Sequence, residues 1–210
     1  MIQIDVFSDM VCPWCRIGKK NLQDALAAWG PKDEVEIHFR AFELDSTLPA
    51  EGLPFQDAMI RKMGGNAASL KQMTDRVTQA GEAVGVTFRF DQVTRMPNTK
   101  LAHRLTALLP ASEQEAMIDA IMNAYFEQGQ DIAQLDILLG IAASLGHDPV
   151  HLREQLEQGK GSDKVTHDQT AARQIGVTGV PFFVFNNKYA LSGAYPPAEL
   201  IKVLEKVAAE

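Results

Sequence analysis

The chain has 210 residues, with 20 basic and 27 acidic side chains giving a net charge of −7. Hydrophobic residues make up 46% and charged residues 22%, the balance of a globular chain rather than a disordered or collagen-like one. Its length allows one large domain or two small ones without disulfide staples, and its acidity argues against nucleic acid as the main partner, because phosphate binding wants a basic surface.

Residues 2–7 alternate like a β-strand and lack the basic start and long apolar stretch of a signal peptide. Met1 at the start agrees with that, so a cytoplasmic location is expected. After Ser8-Asp9-Met10-Val11 comes Cys12-Pro13-Trp14-Cys15. A helix then places Leu22, Ala25, Leu26 and Trp29 on one face and stops at Gly30-Pro31. Residues 35–42 alternate again and predict a second strand. Strand, helix and strand form a unit of parallel neighbours in an α/β sheet.

From about residue 54 to about residue 156 the pattern is almost entirely helical. Leu101, Leu105, Leu108 and Leu109 form one stripe; Met117, Ile118, Ile121, Met122 and Tyr125 form another; Leu135, Leu138, Leu139, Ala142 and Leu145 form a third. Gly64-Gly65 and Gly146-His147-Asp148-Pro149 read as breaks between helices, and residues 86–90 as a short strand. After Gly159-Lys160-Gly161 a helix is expected over 162–174, then a loop over 175–179. A hairpin follows, with strands over 180–185 and 188–192 and a turn at Asn186-Asn187. A last helix starts at Pro196-Pro197. The longest apolar run is Val180-Pro181-Phe182-Phe183-Val184-Phe185, far short of the roughly 18 residues that span a bilayer. The chain therefore reads as an α/β domain split by a helical insertion, with no membrane partner.

The two cysteines sit three apart, a spacing that suits reaction better than scaffolding. Proline is favoured at the first helical position, which puts Cys12 at the N-cap. There its sulfur would accept unpaired helix N–H groups and feel the positive end of the helix dipole, both of which favour the nucleophilic thiolate. Cys15, one turn on, is expected to be more buried and to resolve the mixed disulfide formed by Cys12. Arg16 would add positive potential and Asp9 would oppose it. A structural zinc site needs four ligands. There is no second C-x-x-C, and His103, His147, His151 and His167 are scattered, so no metal is expected. Pro181 opens the most apolar strand, where its missing ladder donor is tolerated. A cis bond there would present the Val180 main chain to an extended peptide or a thiol ligand beside the cysteines.

Together these residues resemble the DsbA family of thioredoxin-fold proteins. The finer resemblance is to the FrnE-type branch, related to 2-hydroxychromene-2-carboxylate isomerases and kappa-class glutathione transferases. It is carried by Ser8-Asp9-Met10-Val11-Cys12-Pro13-Trp14-Cys15, Phe42-Glu43-Leu44, Pro97-Asn98-Thr99 with Ala102-His103-Arg104, Gly179-Val180-Pro181-Phe182-Phe183-Val184-Phe185 and Ser192-Gly193-Ala194. It spans essentially the whole chain. The resemblance implies an α/β thioredoxin-like fold, with residues 1–45 and 160–210 as a discontinuous thioredoxin-like domain and 46–159 as an inserted helical domain. It implies Cys12 as nucleophile, Cys15 as resolving cysteine and Pro181 as cis. It implies no bound cofactor beyond the Cys12–Cys15 disulfide, with glutathione as a conceivable co-substrate, and homodimerisation by analogy. The related isomerases usually carry serine where this chain has Cys12 and use bound glutathione. Trp14 stands where secreted DsbA proteins commonly carry histidine.

Substrate-binding candidates are Pro13, Trp14, Val180, Pro181, Asn98 and His103. Trp14 is expected to be exposed beside Cys12 as an apolar platform, the alternative being packing under the insertion. Asn98 and His103 either face Cys12 or simply belong to a helix start. Met10 and Met96 are candidates for an adaptable apolar groove, whereas Met117 and Met122 fit core packing. Lys19, Lys20, Lys71 and Arg76 read as solvated. Three functions compete: a thiol–disulfide oxidoreductase acting on a protein or small-molecule disulfide or thiol; a glutathione-dependent isomerase or transferase acting on an aromatic small molecule; and a binding module that merely keeps the fold. The retained pair of cysteines favours the first.

Overall fold

A computed structural model of the chain describes residues 1–30, 34–62, 64 and 67–210. In chain order it runs β1 (Ile2–Ser8), α1 (Pro13–Trp29), β2 (Val35–Ala41), β3 (Leu53–Pro54), α2 (Phe55–Lys62), α3 (Ala67–Glu82), β4 (Arg95–Met96) and α4 (Lys100–Ala107). It continues with α5 (Ala111–Phe126), α6 (Leu135–Ser144), α7 (Pro149–Glu157), α8 (Ser162–Gln174), β5 (Phe182–Phe185), β6 (Tyr189–Ser192) and α9 (Pro197–Ala208). Pro31 and Gly65, read above as parts of helix breaks, lie outside the described residues.

The main sheet has the order β2-β1-β5-β6. β1 and β2 are parallel, Ile4 opposite Ile37, with α1 as their crossover. β5 returns antiparallel to β1, and β6 closes the hairpin through Asn186 and Asn187, both at positive φ. Two consecutive left-handed residues suit a tight hairpin, and asparagine tolerates that conformation best after glycine. β5 begins at Phe182 rather than Val180, because Pro181 has no N–H to give to the ladder. Its carbonyl still accepts the Gly193 N–H at 2.8 Å.

Alternation along β1 sends Ile4 and Val6 to one face, where they pack with Leu22 and Trp29 of α1, Phe183 and Phe185 of β5, and Leu200 and Leu204 of α9. Phe7 faces the other way, against Ala172 of α8, Val177 and Val184. The insertion has its own core from the expected stripes: Leu105, Met117, Ile121, Met122 and Leu138 are all fully buried. Met10, Cys12, Cys15 and Ile17 belong to that same cluster. The sequence division at 46–159 is therefore not a division of the apolar core.

Two expectations need correction. Residues 86–90 form no strand; Phe88 and Phe90 instead stack on each other (centroids 5.6 Å apart) and meet Phe126 edge-on. Aromatic burial, not ladder pairing, fixes this segment. The short β3–β4 pair, Leu53 opposite Met96, had no signal at two residues per strand. Among the described residues, no helix is long and apolar enough to cross a membrane, and no group of three or more His, Cys, Asp or Glu side chains could hold a metal ion.

Candidate active site

Cys12 is the N-cap of α1, with Pro13 at the first helical position, so the helix starts where the residue types dictate. The Cys12 N–H donates to the Asp9 carbonyl at 3.1 Å, while its own carbonyl accepts the Cys15 N–H at 3.1 Å. These bonds wind the motif into the first turn and bring the second cysteine beneath the first. Both cysteines are free thiols.

The expected sulfur cap on the helix is not made. The Cys12 thiol instead donates to the Val180 carbonyl at 3.4 Å, across 168 residues of sequence. A protonated sulfur is a donor, and Val180 presents an acceptor directly opposite. The Val180–Pro181 peptide is cis. Pro181 packs on α1 at Gly18, where a Cβ would lie 2.9 Å from the proline Cγ and 3.3 Å from Phe183 Cζ. Gly18 thus sets how closely the Pro181 loop approaches the cysteine helix. It was not singled out from sequence, although a lone glycine inside a helix pattern signals such a close approach.

Cys12 and Cys15 are nearly equally buried, at 4% and 2% exposure, so the expected contrast is slight. Burial pushes the Cys15 thiol well above its ordinary pKa, and the neighbouring Cys12 raises it further. The Asp9 backbone and the Ser8 side chain act in the opposite direction but do not overcome it. Cys15 is therefore held as a thiol until its proton is removed.

Trp14 is half-buried, not exposed. It packs against the insertion's core, and its ring lies 5.9 Å beneath the Arg76 guanidinium of α3. Together they edge a surface pocket of about 320 Å³ with Gln72, Met73 and Val77. Arg76 thereby covers Trp14 rather than only facing water. Arg16 adds no free positive charge at the cysteines. It turns away to Asn123 and Glu127, donates to the Thr87 carbonyl at 2.8 Å and stacks on Phe88. Lys19 is also not solvated: it is buried and paired with Asp119 (2.8 Å) and Glu115 (3.3 Å) of α5. Lys20 and Lys71 pair with Asp24 and Asp75 four residues along their own helices. Met10 and Met96 are buried in the shared core, so they form no open groove.

Asn98 spends its side chain on structure. Its amide nitrogen donates to the Leu48 carbonyl at 2.7 Å and its oxygen accepts the Lys100 N–H at 3.0 Å. His103 is buried at 4% exposure, with Nε2 3.1 Å from Oδ1 of Asp9, itself 1% exposed. The other Asp9 oxygen accepts the Leu44 N–H at 2.7 Å. Asp9 is thus tied to α4 and to the segment after β2, which holds the turn that carries Cys12. Sequence reading had Asp9 only as an opposing charge, since nothing in the spacing pairs it with a histidine 94 positions away.

A thioredoxin-type sheet with a vicinal dithiol at the start of its first crossover helix, faced by a proline loop, defines the thioredoxin-fold thiol oxidoreductases. The chain belongs to the DSBA-like thioredoxin domain family, whose model matches residues 3–205. It is similar to a probable DsbA oxidoreductase from Streptomyces coelicolor at 30% identity and a TM-score of 0.91, covering 100% of this chain and 91% of that one. It is 26% identical over 191 residues to the uncharacterized protein YwbO of Bacillus subtilis, covering 89% of this chain and 88% of that one. It shares its fold with the cytosolic disulfide reductase DsbM of Pseudomonas aeruginosa with GSH, at 15% identity and a TM-score of 0.70, covering 99% and 100% of the two chains.

Proposed function

We propose that this protein catalyses thiol–disulfide exchange through the Cys12–Cys15 pair, with Cys12 as nucleophile and Cys15 as resolving thiol. The observation that carries the reading is the placement of Cys12. It occupies the N-cap position of α1, lies one turn from Cys15 and faces the Val180 carbonyl next to Pro181. Cys12 gives its thiol proton to solvent, and its sulfur then attacks as the thiolate, the nucleophilic form. Cys12 attacks a substrate disulfide and expels one substrate thiolate. Cys15, once deprotonated, attacks Cys12 and expels the second. The pair is oxidised by two electrons and the substrate disulfide is reduced; the reverse sequence oxidises a dithiol.

The substrate is a disulfide- or thiol-containing protein or small molecule, held at Pro13, Trp14, Val180 and Pro181. Glutathione is the small-molecule co-substrate this reading favours, and the cytoplasm, rich in it, is the compartment. The glutathione-bearing structure of cytosolic DsbM supports both. A homodimer is part of the reading, and sedimentation of the purified chain tests it.

Equilibration in graded glutathione buffers, followed by thiol trapping and mass spectrometry, tests the reaction. The expected result is a two-electron closure of Cys12 to Cys15, loss of turnover in Cys12→Ser and trapped mixed disulfides in Cys15→Ser. Undiminished turnover in Cys12→Ser overturns it. Glutathione binding without closure moves the chain to the isomerase or transferase chemistry.

A further inference from the structure

The cations of the cysteine helix are spent on neighbouring carboxylates. On α1, Arg16 pairs with Glu127, Lys19 with Asp119 and Glu115, and Lys20 with Asp24. On α3, Lys71 pairs with Asp75 at 2.5 Å. Arg76, further along α3, differs from all of these. It is exposed, and among the described residues no carboxylate pairs with it; its guanidinium stands 5.9 Å from the centre of the Trp14 ring. A guanidinium can stack on a ring by its face and still present its N–H fork at the edge, the geometry that matches a carboxylate.

The surface at this point is concave. Trp14, Met73 and Val77 form apolar walls, and Gln72 and Arg76 a polar edge, around a pocket of about 320 Å³. That volume lies at the small end of the range for ligand clefts, roughly 300–1,000 Å³. The pocket adjoins the dithiol. Trp14 belongs to the turn between the two cysteines, and two residues of chain reach roughly 7 Å at most from Cys12. Val77 shares one apolar cluster with Cys12 and Cys15, and Trp14 and Met73 pack against that cluster.

We propose that Arg76 is a specificity residue for the exchange reaction: seated on Trp14, it binds a carboxylate of the disulfide substrate, so acidic disulfides are the preferred class. The inference rests on the thiol–disulfide reading of Cys12. The Cys12 sulfur forms a bond to one substrate sulfur, the substrate S–S bond breaks, and the other half leaves as thiolate with the electron pair. The half retained on Cys12 lies along the Trp14 ring, its methylenes against Met73 and Val77, and its carboxylate accepts the Arg76 N–H fork. The chain carries a net charge of −7, so its overall field repels an anion. A preference for acidic disulfides therefore has to come from a local cation, and Arg76 is placed to supply it.

The test uses the reduced Cys15→Ser protein, in which the mixed disulfide on Cys12 accumulates and is followed by mass spectrometry. The probes are dithiodipropionate and oxidised glutathione, which carry carboxylates at short and at peptide length, with cystamine as a cationic disulfide and hydroxyethyl disulfide as a neutral one. Each rate constant is divided by that for hydroxyethyl disulfide in the same variant, so changes in the general reactivity of Cys12 cancel. In Arg76→Gln the ratio for an acidic probe falls about tenfold, the scale of one lost hydrogen bond to a charged group. The ratio for cystamine rises. Arg76→Lys, which keeps the charge without the fork, recovers part of the loss. Lys71→Gln removes the same charge from the same helix and leaves every ratio as it was. A fall for both acidic probes supports a carboxylate close to the sulfur; a fall for oxidised glutathione alone supports one at peptide distance. Ratios that coincide in parent and Arg76→Gln overturn the proposal. So does an equal fall in Lys71→Gln, which the field of the whole chain would give without any site. If none of the probes forms a mixed disulfide at Cys12 while Arg76 is in place, the exchange reading itself has failed, and the preference with it.

Discussion

Each half of the site rests on one atom-scale contact that the residue type alone makes possible. At Gly18 the missing side chain lets the Pro181 ring lie on α1. Gly18→Ala gains helix propensity, about 1 kcal/mol, but drives a methyl against a ring that cannot rotate away. Overpacking of this kind costs about 1–3 kcal/mol. The expected outcome is a net loss of stability in urea denaturation and slower attack by Cys12, since Val180 is displaced with its proline. Cys15 predicts the pH dependence. Its pKa is raised in the folded chain by burial, so the folded state keeps a proton that the unfolded chain loses above roughly pH 8.5. Its contribution is fully present below that pH and is lost as pH rises toward the folded value. Tyr125, raised for the same reason, adds a second loss above about pH 10. Denaturation midpoints of the reduced protein should therefore fall through this alkaline range, and Cys15→Ala should remove the earlier part of the fall.

At the scale of elements, α1 joins two structures. Its apolar face, Leu22, Ala25 and Trp29, was legible from spacing and packs on the sheet. Its polar face was misread. Arg16 and Lys19 belong to this helix, but their partners sit on α5 and the segment before β4. No local pattern announces a partner about 100 residues away, so a buried lysine and a solvated one look the same in sequence. Arg16→Ala removes charge-assisted bonds to Thr87, Asn123 and Glu127, for an expected cost of about 1.5–3 kcal/mol. Amide exchange should quicken at Arg89, whose N–H is bonded to the Phe126 carbonyl at 2.8 Å. Unchanged protection at Arg89 would show that the aromatic cluster holds this segment without Arg16. His103 and Asn98 sat in one motif, yet the structure separates them: Asn98 pins a loop, while His103 is drawn under the cysteine turn by Asp9.

For the whole molecule, the shared core decides behaviour. The cysteine end of α1 packs into the insertion's cluster, while its other end packs into the sheet's. The chain carries two tryptophans that report on these separately: Trp14 borders the first cluster and Trp29 is buried in the second. Single-tryptophan variants, Trp14→Phe and Trp29→Phe, are expected to show coincident urea transitions by fluorescence, as one cooperative unit requires. A separate early transition at Trp14 would mean that the insertion unfolds on its own.

What the sequence by itself determined is whatever short-range chemistry controls: the strand–helix–strand start, Cys12 as a cap ahead of Pro13, the hairpin at Asn186-Asn187 and the stripes of the insertion. Each follows from a period or a backbone preference that operates within a few residues. Only the tertiary structure decided which side chains meet across the fold: Cys12 with Val180, Gly18 with Pro181, Asp9 with His103, Trp14 with Arg76. Those pairings depend on how α1, the Pro181 loop and the inserted helices are stacked, and burial then selects partners by proximity in space, a quantity that spacing along the chain does not encode.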